Sequence, residues 1–146
     1  MSARLDVKKW IYASIAAFVI YSILEYVANQ LIFMPSYPEM FPGTPEDQSL
    51  MLSRVWMYLG RAIFSVMFAF VYTRGYEGKP GFGEGLRYGL WIALLIPVPV
   101  FFRNLVISSA PGGVTVNGML TSVLELIILG IVVGLIYKAP ASSSEG

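Results

Sequence analysis

Residues 10–33 read WIYASIAAFVIYSILEYVANQLIF, and this stretch decides the fold. A bilayer core about 30 Å thick is crossed by roughly 20 apolar residues in a helix rising about 1.5 Å per residue. The stretch meets that length with Glu25 as its one charged side chain. Lys8 and Lys9 precede it, as in a secretory signal. Glu25 and Asn29 stand where small cleavage-site residues would belong, so it is read as a retained signal anchor.

Working outward, three further spans are predicted, over about 52–72, 86–102 and 119–137. The third is the shortest and carries Pro97 and Pro99. Proline lacks a backbone donor and clashes with the preceding turn, so a kink or break is expected near that helix's outer end. Composition agrees with four spans. The chain of 146 residues is 56% hydrophobic and 13% charged, with a mean hydropathy of +0.67. Soluble domains carry about 25% charged residues. The expected architecture is an all-α membrane protein, with one domain over residues 1–138 and a disordered tail over 139–146.

Lys and Arg in short loops set orientation. Arg4, Lys8, Lys9, Arg74, Lys79, Arg87 and Lys138 fall on one side of an up-down, antiparallel four-helix bundle, against Arg54 and Arg103 on the other. Both termini are therefore expected in the cytoplasm. The first external loop, 34–50, is Pro-rich and acidic. Within it, Thr44 reads as an N-cap, Pro45 as the first helical residue, and Glu46 and Asp47 as first-turn acids starting the second helix early.

The chain has no Cys and no His, which removes disulfides, thiolate nucleophiles, the usual haem and zinc ligands and the commonest general base. No cofactor is expected on that ground; a lipid or pigment held by apolar contacts would leave no residue signature. A net charge of +1 offers no field for nucleic acid. No nucleophile is marked with a base, and an enzyme is not expected. The Gly81, Gly83 and Gly85 run lacks the GxxxxGK[ST] pattern, so no nucleotide partner is expected. It reads instead as a tight hairpin turn, with Arg74, Lys79 and Arg87 near anionic headgroups.

Three charges fall inside apolar spans, where each costs about 2.5–3.5 kcal/mol or more. By residue count Glu25, Arg61 and Glu125 all lie roughly 9–14 Å below the outer surface, so they should meet. Their neighbours share their helix faces. Arg54, Tyr58, Arg61, Ser65, Phe68 and Tyr72 form one stripe on the second helix. Tyr21, Ser22, Glu25 and Asn29 do so on the first, and Thr121, Ser122 and Glu125 on the fourth. Arg103 offers a second cation at the outer end of the third. Ser22–Glu25 (SILE) echoes Ser122–Glu125 (SVLE), a weak sign of duplication. Two readings of this layer stand side by side. One is an ion-pair network that fixes helix order. The other is a proton- or cation-handling site in which Arg61 tunes two carboxylates.

Gly85 and Gly89, and Gly130 and Gly134, form GxxxG pairs that allow close helix packing, within the bundle or between subunits. Residues 72–81 (YTRGYEGKPG), 84–90 (EGLRYGL) and 134–138 (GLIYK) together resemble small bacterial four-helix membrane proteins with a similar turn between helices two and three. The resemblance implies a multi-pass protein of the bacterial cytoplasmic membrane and carries no activity. The expected role is a non-enzymatic accessory subunit or self-associating bundle, with lipid and either copies of itself or a larger membrane complex as partners. The alternative is a small proton- or cation-coupled transporter or channel using Glu25 and Glu125.

Overall fold

A computed structural model describes residues 6–33, 49–107 and 112–137. Its regular structure is helical: α1 (Val7–Ala28), prolonged by a wider turn over Asn29–Phe33, then α2 (Ser49–Gly75), α3 (Gly81–Leu95), α4 (Pro97–Ile107) and α5 (Gly112–Tyr137). The Thr44–Asp47 capping segment and the 139–146 tail lie outside the described residues.

Four stretches are long and apolar enough to cross a membrane: Val7–Leu31, Arg54–Gly75, Gly81–Ile107 and Thr115–Tyr137. The buried share of their apolar windows runs only from 11% to 33%. Large side chains such as Val106 (84% exposed) and Leu31 (73%) face outward. Such a surface would be costly in water and suits lipid.

Local chemistry sets the ends. Asp6 caps α1 by accepting from the Lys9 backbone N–H at 3.2 Å. At the far end the Asn29 N–H is shared between the Glu25 and Tyr26 carbonyls, and the helix widens into a π-type turn.

Two expectations about the third span change. It was expected to start near 86, after a glycine turn, but α3 already begins at Gly81. The reason is Glu84, in its first turn, whose carboxylate accepts from the Glu77 and Lys79 backbone N–H groups and so closes the short link behind the helix. Only Gly78 there takes a positive φ, 77°, the left-handed conformation that glycine adopts without a Cβ penalty. The span also runs on past 102 as a second piece. Pro97 has no N–H to give, so α3 stops and α4 starts afresh with proline in its first turn. The Ile96 N–H still reaches the Ile92 carbonyl at 3.0 Å. The fourth span is expected from about 119; the apolar stretch begins at Thr115, on a helix that starts at Gly112.

The tightest packing joins α3 to α5 through glycine. A Cβ on Gly130 would sit 2.7 Å from the Cα and N of Gly89, and one on Gly89 would sit 2.8 Å from Ile127 Cα. Gly134 meets Gly81 and Gly85 in the same way, so the two backbones touch along their length in opposite directions. Helix α1 lies between α2 and α5, burying Ala13 and Ala17 completely, while α4 leans on α5. Rings fill the space between α2 and its neighbours α3 and α5. Tyr72 lies 5.2 Å from Tyr88 and 6.0 Å from Tyr137. Tyr88 also donates its hydroxyl to the Phe68 carbonyl at 2.7 Å. The Asp6 N–H donates to the Tyr137 hydroxyl at 3.3 Å, tying the start of α1 to the end of α5.

Candidate functional site: a polar cavity holding Glu25 and Glu125

A cavity of about 320 Å³ lies among α1, α4 and α5. Tyr21 and Glu25 line it from α1, Phe101 and Asn104 from α4, and Ser122 and Glu125 from α5. The helix break at Ile96 matters here, because Pro97, Phe101 and Asn104 belong to the piece that begins beyond it.

Arg61 reaches this layer from α2 and forms an ion pair with Glu25. Its guanidinium also donates to the Ser22 hydroxyl at 3.4 Å and lies against the Tyr21 and Tyr58 rings, 5.4 and 5.1 Å from their centroids. The Arg61 side chain is 9% exposed and that of Glu25 34%. The pair is thus held between the bundle and its surface, with two aromatic faces adding cation–π attraction.

Glu125 is placed differently. It is 6% exposed, and its Oε1 is buried with no hydrogen-bond partner. Among the described residues it has no ion pair within 4.0 Å, since Arg61 is engaged with Glu25. The three charges converge, but as a closed pair plus a separate carboxyl.

The other anticipated residues divide. Ser22 and Tyr58 touch Arg61, and Ser122 lines the cavity. Ser65 is fully buried, yet its hydroxyl bonds back to the Arg61 carbonyl at 2.9 Å, satisfying itself along its own helix. Asn29 is exposed where the wider turn begins, and Arg103 is exposed on α4, with its neighbour Asn104 on the cavity wall. Arg54 and Tyr58 are exposed and Phe68 and Tyr72 buried, so the stripe on α2 turns from surface to core along its length. The glycines Gly85, Gly89, Gly130 and Gly134 pack against one another within the chain. Pro97 is buried and lines the cavity, while Pro99 is exposed.

Asn104 went unnoticed in sequence because it lies beyond 102, where the apolar span was expected to end, and Phe101 because it reads as one more apolar residue within that span. The signal was the return of apolar residues at 105–107 after Arg103 and Asn104. Glu84 was also passed over, although a lone acid three residues into a helix after a Pro-Gly step reads as a first-turn acid.

A second cavity, of about 450 Å³, lies at the α2–α3 link, lined by Tyr72, Glu77, Glu84, Arg87, Tyr88 and Trp91. Its acids are answered: Glu84 by two backbone N–H groups, Glu77 by Lys79 and by Arg87 at 3.0 Å. The Tyr72 hydroxyl is buried there without a partner. Among the described residues no group of three or more His, Cys, Asp or Glu is placed to hold a metal ion. Comparison with protein-family models, with functionally described proteins and with solved structures gives no match.

Proposed function

We propose that this chain is a multi-pass membrane protein, an up-down bundle with both termini in the cytoplasm, that handles a proton or small cation at Glu125. The observation that carries this is Glu125, which lines a cavity that also holds Glu25 and whose Oε1 is buried with no hydrogen-bond partner. A lone buried carboxylate in a low dielectric is costly unless a counter-charge or proton joins it. Glu25 and Arg61 neutralise each other, so Glu125 is the acid left to exchange. Conduction or coupled transport follows if that exchange is open to both sides in turn.

The test is reconstitution of the full chain in liposomes with an internal pH dye, under an imposed cation gradient. Wild type should move protons or cations, and Glu125→Gln should abolish the flux while keeping its helical circular dichroism. Equal flux in both proteins would sink the proposal.

A second reading, an accessory subunit or self-associating bundle, is supported by the Glu25–Arg61 pair, which is complete without any ligand and joins α1 to α2. Gentle extraction that recovers the chain in a stable complex with itself or other subunits, together with flux-free liposomes, would favour it. The glycine pairs are already occupied within the chain, so a partner would meet the apolar outer faces instead.

A further inference from the structure

Resting on the reading of Glu125 above, we infer that the cavity takes a small organic ammonium ion, carrying one positive charge and a short apolar body, in preference to an inorganic cation. Charge sets the first limit. Glu25 is paired with Arg61, which leaves one uncompensated carboxyl, and a single positive charge cancels it. A dication would leave net charge in a low-dielectric site, and an anion would be repelled.

Size sets the second. At about 30 Å³ of liquid volume per water, a cavity of about 320 Å³ has room for roughly ten waters. A bare calcium ion takes six to eight oxygens at about 2.3–2.6 Å, and magnesium near-ideal octahedral oxygens at about 2.0–2.1 Å. Among the described residues the one uncommitted acid in the lining is Glu125, and no cluster of three acids stands ready.

The lining sets the third. Phe101 lines it with an aromatic ring not engaged by Arg61, and Pro97, Val100 and Met119 line it with apolar side chains. Rings attract ammonium groups through their π faces, and the apolar wall takes an alkyl body that an inorganic ion lacks. Asn104 of α4 and Ser122 of α5 add acceptors for ammonium N–H groups that Glu125 does not take. A site with one unpaired acid, an aromatic side chain and further acceptors is suited to a molecule with one charged end.

The experiment is calorimetric titration of the full chain in phosphatidylcholine nanodiscs with butylammonium, and separately with sodium, potassium, magnesium and butyrate. Butylammonium should bind saturably at one per chain, and Glu125→Gln should weaken it about tenfold or more. Phe101→Leu, which keeps the acid and an apolar side chain, should weaken butylammonium by roughly 2- to 30-fold and leave any inorganic cation unaffected. If Glu125→Gln fails to fold, the Phe101→Leu selectivity still decides. Binding of sodium or potassium through Glu125 with no butylammonium binding overturns this inference and leaves the proposed function standing. No binding of any cation, together with no Glu125-dependent flux in liposomes, overturns both. Butylammonium binding that neither variant changes also overturns the inference, since it would lie elsewhere.

Discussion

Glu84 and Glu125 are buried to nearly the same degree, 5% and 6% exposed, yet their surroundings are opposite. Glu84 sits in the first turn of α3, where two backbone N–H groups point at it and both oxygens are used. Glu125 sits in the middle of α5, where every backbone N–H is spent on the helix ladder, and one oxygen is left over. Burial alone therefore says little about a carboxyl. What separates a structural acid from an available one is whether fixed donors already meet it.

The comparison extends to the regions around them. The Glu84 end is held by touching glycine backbones, packed tyrosines and a neutralised Glu77. Each acid lines a cavity, but at the Glu125 end no backbone donor meets the acid, and residues 54–60 of α2 are all exposed. The harshest way to break the contrast is Gly130→Val, which drives side-chain carbons into the Gly85 and Gly89 backbone. It should cost about 3 kcal/mol or more and lower the thermal midpoint in detergent sharply. Glu84→Ala strips two backbone N–H groups of their acceptor and should cost about 2–3 kcal/mol, read by the same melt.

Arg61→Met should cost about 2 kcal/mol, less than the 3–5 kcal/mol of a fully buried pair, because Glu25 keeps part of its surface exposed. Adding Glu25→Gln to that variant should recover most of the loss, since no charge is then left unpaired. Glu125→Gln should change stability by no more than about 1 kcal/mol in either direction while abolishing cation handling, the reverse of Glu84→Ala. A Glu125→Gln protein as damaged as Glu84→Ala would erase the distinction between the two acids.

The smallest effect belongs to Glu77. Lys79, and then Arg87, hold its carboxyl below the ordinary 4.5. A depressed value means that folding favours the charged form, so its stabilisation is present above about 4.5 and fades as pH falls through the lower folded value. Because the group is solvent-exposed and screened, the difference in melting midpoint between wild type and Glu77→Gln should be slight at pH 7. It should vanish in acid, as melts across pH 3 to 7 would record.

The apolar helices and the meeting of Glu25 with Arg61 were legible in the sequence because both follow from counting along the chain. Twenty apolar residues in a row, and a charge at a countable depth, need no knowledge of neighbours. What escaped depends on three-dimensional placement. Glu84 was hidden because its partners are turn amides, which carry no residue identity. The start of α3 was missed because Gly81, Gly83 and Gly85 read as turn-formers, whereas Gly85 is in helix so that α5 can approach. The division of the charged layer into a pair and a single acid was equally invisible, since Arg61 had two glutamates at the same depth and only geometry chose Glu25.

The glycine seam between α3 and α5 also predicts how this sequence would drift over time. Gly60 and Gly83 have nothing within 4 Å of where a Cβ would lie, while Gly85, Gly89, Gly130 and Gly134 would strike backbone. Identical residues in similar helices would therefore diverge at very different rates. Gly60 and Gly83 would give way to alanine or larger residues, and the four seam glycines would persist in any descendant that keeps these two helices in contact.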